Sequence, residues 1–268
     1  MERLASSSLL ARMIPQEDAD ALYRIYPDLP RTHLVGCPSC GKNRGYGVDG
    51  ILELDGEQVI CNCHDQLQRH KHYLNAGMGM AYQVLSWNDF RGDPVAKKKV
   101  AEWAGNADAN VESGRGLYIW SETNGTGKTM LAALALKECI SRGITSYMTT
   151  FQDLLSSLKS GWKDAEFDRW YRGRIDSAQV LVLDDIGKES ESGFNGEFAK
   201  QTLDSLLRTR TQQGRPTIFT TNMSPSKLSA YGMGVVSLVT EDTEIVFVEG
   251  NDFRPYVHRL GKGFRRIY

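Results

Sequence analysis

Between residues 116 and 139 the chain reads GLYIWSETNGTGKTMLAALALKEC, and its middle, Gly125-Thr-Gly-Lys-Thr129, is a glycine turn that runs into a lysine and a hydroxyl. Backbone N–H groups of such a turn, placed at the start of a helix, form a concave anion site to which the helix dipole adds. The residues that would line it are Asn124, Gly125, Thr126, Gly127, Lys128, Thr129 and Met130. Lys128 would reach the β- and γ-phosphates of ATP, and the Thr129 hydroxyl would ligate magnesium. The usual pattern is G-x-x-x-x-G-K-[ST], and here Glu122 stands in place of the first glycine. A side chain is tolerated at that entry position if its backbone keeps a negative φ, because it can point away from the phosphates.

A phosphate loop alone does not hydrolyse anything. Further along, VLVLDDIG places Asp184 and Asp185 at the end of an apolar run. Asp184 would reach the magnesium through water, and Asp185 would polarise the attacking water, a task more often given to glutamate. Two adjacent acids are costly to bury unless a metal balances them. The next β-rich run, PTIFTTNMSP, ends in Asn222, which suits two roles equally: holding the water or γ-phosphate, or capping the turn before Met-Ser-Pro.

These residues need a scaffold that brings loop and acids to one edge. From residue 116 onward, short β-rich apolar runs alternate with longer helical patterns, the signature of a parallel sheet covered by helices. Strands are expected at Leu117 to Trp120, Thr145 to Thr149, Val180 to Asp184 and Thr217 to Thr221. Between the last two, Ala199, Leu203, Leu206 and Arg210 recur at helical spacing with Phe198 and Leu207 beside them, one face turned to the sheet. Cys139 falls on the inward face of the helix after the loop and reads as core. After Asn222 the segment VVSLVTEDTEIVFVEGNDFR reads as more strand than helix, and NADANVESGRG reads as a polar turn leading into residue 116. Nothing in the pattern leaves room for a large C-terminal helical lid.

The N-terminal part differs in kind. Of five cysteines, four fall at Cys37, Cys40, Cys61 and Cys63. CPSCG is a Cys-x-x-Cys-Gly turn of the zinc-ribbon type, and CNCH supplies a second pair, with His64 as substitute ligand if the Cys-x-Cys geometry fails. Four thiolates around zinc would staple a module with little apolar content, and leave no open position for substrate.

The stretches GTGKTMLAALAL, YMTTFQDLLSSLKSGW, VLVLDDIGKES, LLRTRTQQGRPTIFTTN and VEGNDFR together resemble the AAA+ ATPases of the DnaC/DnaI helicase-loader family, phage versions included. The resemblance covers roughly residues 75 to 256. It implies an ATP-dependent ring or spiral that loads a replicative DnaB-type helicase onto single-stranded DNA. Lys128, Thr129, Asp184, Asp185 and Asn222 carry over as the two Walker motifs and the first sensor, and Arg254 matches the second-sensor arginine. The family's helicase-binding domain is N-terminal, and in the DnaI branch it binds zinc, with a ligand pattern different from the one here. One departure stands out: in YGMGVVSLVTEDTE, Gly234 and Leu238 occupy positions where arginines that reach a neighbouring subunit's ATP are expected. Such a finger is worth about a thousandfold or more in hydrolysis. Weak hydrolysis, a substitute such as Arg259, or a finger from a partner are the three ways this can resolve.

Between the second strand and the acids lies LKSGWKDAEFDRWYRGR, where Lys159, Lys163, Arg169, Arg172 and Arg174 alternate with Trp162, Phe167, Trp170 and Tyr171. Cations with aromatics suit single-stranded DNA; an amphipathic helix with its aromatics in the core has the same pattern. A formal charge of −1 excludes a generally basic nucleic-acid coat. With 41% hydrophobic and 24% charged residues, and no apolar run near the roughly 18 residues of a membrane span, an ordinary globular chain is expected. The start shows no signal-peptide pattern, so a cytoplasmic protein is expected, in a bacterial host if phage-encoded.

The sequence therefore predicts an α/β AAA+ P-loop NTPase with a parallel sheet flanked by helices, plus a small zinc-ribbon-like module. The expected boundaries are 1–75 for the zinc and partner-binding module, 76–115 for an entry segment and 116–268 for the ATPase. ATP, Mg2+ and Zn2+ are the expected cofactors; a DnaB-type helicase, single-stranded DNA and further copies of the chain are the expected partners. Two other functions fit the same fold: an IstB- or TnsC-like transposition regulator on target DNA, and a nucleotide-gated adaptor that binds ATP and barely hydrolyses it.

Overall fold

The structure, a computed structural model, describes residues 51–54, 57–60, 72–73, 75–83, 85–161, 164–188 and 196–253. The chain divides into two compact units, Met1–Asn75 with Arg265–Tyr268, and Ala76–Phe264. In the first, strand β1 (Ile51–Leu54) pairs antiparallel with β2 (Glu57–Ile60), Ile51 opposite Ile60. This hairpin falls in sequence between the two cysteine pairs. Cys37, Cys40, Cys61, Cys63 and His64 themselves lie outside the described residues.

The second unit holds helices α1 (Pro94–Gly105) and α2 (Ala107–Glu112), strand β3 (Gly116–Trp120), helix α3 (Lys128–Ser141), strand β4 (Ser146–Thr150), and helices α4 (Phe151–Gly161) and α5 (Ala165–Tyr171). Strand β5 (Val180–Ile186), helix α6 (Gly196–Gln212), strand β6 (Thr217–Thr221), helix α7 (Met233–Asp242) and strand β7 (Thr243–Phe247) follow, with a short helical turn between β6 and α7. The five strands β3 to β7 form one sheet in the order β4-β5-β6-β3-β7, every pair parallel. Its inner strands are buried along almost their whole length, which is why they read as apolar runs rather than alternations.

All four predicted strands are present within two residues of their expected ends. Two segments differ. Residues 107–112 of NADANVESGRG are helix α2, which stops at Ser113 before Gly114 in the left-handed region (φ 71°). Residues 233–242 are helix α7, and strand begins only at Thr243. In α7 Val235 and Val239, four apart, are both buried against the sheet, so helical spacing outweighs the β-branched composition.

Helix α6 turns Ala199, Leu203, Leu206, Leu207 and Arg210 inward. Arg210 is 2% exposed. Its guanidinium donates to the carbonyls of Ile175, Ala178, Gln179 and Pro216 and its Nε to Thr217 Oγ1, at 2.9–3.1 Å. It ties α6 to the starts of β5 and β6. Burial pulls its pKa down to about 10, so the site depends on those acceptors being fully used. Cys139 is buried in α3, and burial pushes its thiol up to about 12, which makes it an inert core residue.

Candidate phosphate and metal site

Strand β3 ends at Trp120 and helix α3 begins at Lys128, so the glycine loop sits at the C-terminal edge of the parallel sheet, where α/β folds collect ligands. Gly125 and Gly127 both take left-handed backbone, φ 73° and 92°. A side chain at either would also collide: a Cβ on Gly125 would lie 1.7 Å from Asp252 Oδ1, and one on Gly127 2.6 Å from the Phe90 ring. The loop is thus enclosed from two sides. Phe253 N–H donates to Gly125 O (3.1 Å), and Asp93, which caps α1 with one carboxylate oxygen, accepts from Glu249 N–H with the other.

Glu122, the departure from the usual pattern, keeps a negative φ and pairs outward with Lys227 at 3.1 Å. The loop closes without a glycine there. Lys128 is buried and donates to Thr123 O at 2.9 Å, folding back over the loop it belongs to.

The acids arrive on β5, two strands away. Thr129 Oγ1 donates to Asp184 Oδ1 at 2.9 Å, bringing the loop hydroxyl and the strand acid together across 55 residues. Thr220 Oγ1 on β6 donates to the same oxygen. Asp184 is 6% exposed; desolvation raises its pKa, and Asp185 beside it pushes the same way, against the two hydroxyl donors. A buried carboxylate flanked by hydroxyls is a hard oxygen donor set of the kind magnesium takes. Asp185 has φ 58°, the one non-glycine residue in the left-handed region among the described residues. Its carboxylate pairs with Lys188 at 2.8 Å.

Asn222, at the end of β6, donates through Nδ2 to Asn124 Oδ1 at 2.7 Å. Its own Oδ1 is buried and has no partner among the described residues, and neither has Thr126 Oγ1 in the loop. Two orphaned polar atoms beside a glycine cradle fit a site that takes a polar ligand such as a nucleotide phosphate. The structure thus brings Asn124 to Met130, Asp184, Asp185 and Asn222 to one edge. Arg254 and Arg259 lie outside the described residues. Sequence reading missed Thr220, Lys188, Lys227, Asp252 and Phe90. All five depend on tertiary packing that the sequence does not spell out.

At Gly234, the space a side chain would take is filled from α6: a Cβ there would lie 2.6 Å from Arg208 Nη2, whose group is paired with Asp204 at 2.8 Å. Phe167 packs on both Trp170 and Tyr171, and Trp170 sits edge-on to Tyr147, with ring centroids 5.5–6.2 Å apart. Phe167, Trp170 and Tyr171 are half-buried and no residue of α5 is buried, while Arg169 and Arg172 face solvent, so this stretch is neither a buried core face nor a bare basic strip. Trp162 and Lys163 lie outside the described residues. Among the described residues, no group of three or more His, Cys, Asp and Glu could hold a metal ion by itself, and no helix is long and apolar enough to cross a membrane.

A glycine loop between strand and helix, with a strand acid against the loop threonine and a parallel sheet of this order, defines a P-loop nucleotide-binding domain of the AAA+ fold. The chain belongs to the family of IstB-like ATP binding proteins, whose model matches residues 62–235. It is homologous to the replicative helicase loader DnaC of Escherichia coli (strain K12), 24% identical over 168 residues, 61% of this chain and 65% of that protein. It also matches the replicative helicase loader DnaI of Bacillus subtilis (strain 168), 29% identical over 115 residues, 43% of this chain and 35% of that protein. The match therefore spans just under two thirds of the first relative and about a third of the second. Among solved structures, that of the DnaC helicase loader superposes with a TM-score of 0.55 at 24% identity, over 64% of this chain and 100% of that one. The replication initiator DnaA bound to AMPPCP and single-stranded DNA gives 0.51 at 20% identity, over 70% and 56%. Both likenesses are of fold.

Proposed function

We propose that this chain is an ATP- and magnesium-dependent loader of a replicative DnaB-type hexameric helicase onto single-stranded DNA. The observation that carries the nucleotide part is the meeting of Thr129 with Asp184 at the mouth of a glycine loop that only glycine at 125 and 127 can form. When bound, magnesium would neutralise charge on the β- and γ-phosphates. Lys128 and the loop amides would hold the phosphates, Thr129 would hold the metal with Asp184 reaching it through water, Asp185 would orient the attacking water, and Asn222 would contact the water or the γ-phosphate. Arg254 would touch the γ-phosphate within its own subunit. The homology to DnaC and DnaI supports the loader part, and oligomerisation into a ring or spiral would complete each site with a neighbour's residues.

The N-terminal cysteines are assigned to a zinc-stapled, helicase-binding module. Substitution Cys40→Ser is expected to expose that module to protease while the ATPase unit stays resistant; equal loss of both would end the assignment.

A second reading, an IstB-like transposition regulator, is favoured by the family match over residues 62–235. Pull-down from the host separates the two: a hexameric helicase retained with ATP supports the loader, and a transposase retained instead overturns it.

A further inference from the structure

The end of β5 does not follow the regular ladder. Leu183 pairs with Phe219 and Ile186 with Thr221, so three steps on β5 oppose two on β6, and Asp184 and Asp185 lie in the resulting bulge. Two threonines on β6 make good the lost ladder bonds with side chains. Thr221 Oγ1 donates to Ile186 O at 2.6 Å. Thr220, fully buried, does something more specific: its hydroxyl accepts from Asp185 N–H at 3.0 Å and donates to Asp184 Oδ1. A hydroxyl has one proton to give and lone pairs to receive with, so one small side chain serves both acids. Asp185 needs that hold. Left-handed backbone at a non-glycine residue persists only where its surroundings over-determine it.

We propose that Thr220 is a positioning residue that sets both acids through one hydroxyl, aiming Asp184 at the Thr129 side of the loop and fixing the left-handed turn that carries Asp185. The consequence is a coupling: the acid assigned to the metal and the acid assigned to water cannot shift independently while Thr220 bridges them. The assignment rests on the reading of Asp184 and Asp185 given above, but the bridge itself can be tested without turnover.

The test uses the full chain with Thr220→Val, which keeps shape and removes the hydroxyl, and Thr220→Ser, which keeps the hydroxyl and removes the methyl. In nucleotide-free protein, Asp185 N–H is expected to exchange slowly in the wild type and in Thr220→Ser, and much faster in Thr220→Val. The magnesium concentration needed for nucleotide binding is expected to rise by about 10–100-fold in Thr220→Val, the range seen when a residue behind a metal ligand is lost, and kcat to fall by a similar factor. Magnesium-free nucleotide binding, made by the loop, is expected to stay within about twofold, because phosphate contacts from backbone amides are untouched. Thr220→Ser is expected to behave as the wild type in all of these. Unchanged Asp185 exchange with unchanged magnesium dependence in Thr220→Val would overturn the proposal. So would equal impairment of the Val and Ser variants, which would mean that the methyl packs and the hydroxyl does nothing. Should Thr220→Val fail to fold, Thr220→Ala carries the same expectations. A wild type without turnover, but with exchange that responds to Thr220→Val, would sink the ATPase reading and leave the bridge standing.

Discussion

Asp184 sits under conflicting demands at the scale of single residues. Desolvation and the neighbouring Asp185 together raise its pKa, against the smaller individual pulls of the Thr220 and Thr129 hydroxyls. A carboxyl whose folded pKa lies above its unfolded value is destabilising while ionised, and that cost disappears as pH falls through the folded pKa. Nucleotide-free protein should therefore gain from this group on mild acidification, whereas magnesium-dependent nucleotide binding should weaken over the same range, since metal needs the ionised form. Asp184→Asn removes the buried charge and keeps an acceptor for both hydroxyls. It is expected to raise the melting temperature, by about 2–4 °C for each kcal/mol relieved, and to abolish the magnesium dependence of binding, both read by thermal shift. Lys128→Ala is expected to eliminate nucleotide binding in a fluorescent-analogue titration with the fold intact; retained binding would refute the phosphate-loop assignment. Most of these residues were legible in the sequence, because glycine, lysine and paired acids are unusual types at fixed spacing. Thr220 was not, since one threonine in a β-rich run is ordinary until its partners on the adjacent strand are known.

Among the elements, strand positions were legible because parallel strands buried on both faces are written as unbroken apolar runs. Helix α7 was misread for the matching reason: Val-Val-Ser-Leu-Val is β-rich in composition, and only the buried pair Val235 and Val239 shows the helical period. Arg210 taught the opposite lesson. Its place on the inward face of α6 was evident from spacing, yet its role as a polar rivet between α6, β5 and β6 depends on four carbonyls brought together from distant segments. Removing it strands those acceptors in the interior, at about 1–3 kcal/mol for each that stays unsatisfied. Arg210→Met is accordingly expected to destabilise the ATPase unit by at least about 3 kcal/mol in urea unfolding. Arg208, two residues away and paired with Asp204 on the surface, should cost little by the same assay when replaced by Ala.

For the molecule as a whole, one unit carries the glycine loop and acids proposed to hold phosphate and metal, and the other carries the cysteine pairs. The sequence differs in kind across that division, with apolar runs in the larger unit and glycine and thiols in the smaller. It could not mark the source of a finger arginine, which depends on packing and assembly; Gly234 is bare, and Arg208 from α6 lies across it. In the function proposed above, this edge of the sheet hydrolyses ATP in the service of helicase loading. The most direct measurement is steady-state ATP hydrolysis by the purified full chain, alone and then with single-stranded DNA and the host's DnaB-type helicase, with Asp184→Asn as the inactive reference. Magnesium-dependent turnover that rises severalfold with both partners is the expected result. Tight ATP binding with no turnover above that reference, partners present, would contradict it and leave a nucleotide-gated adaptor.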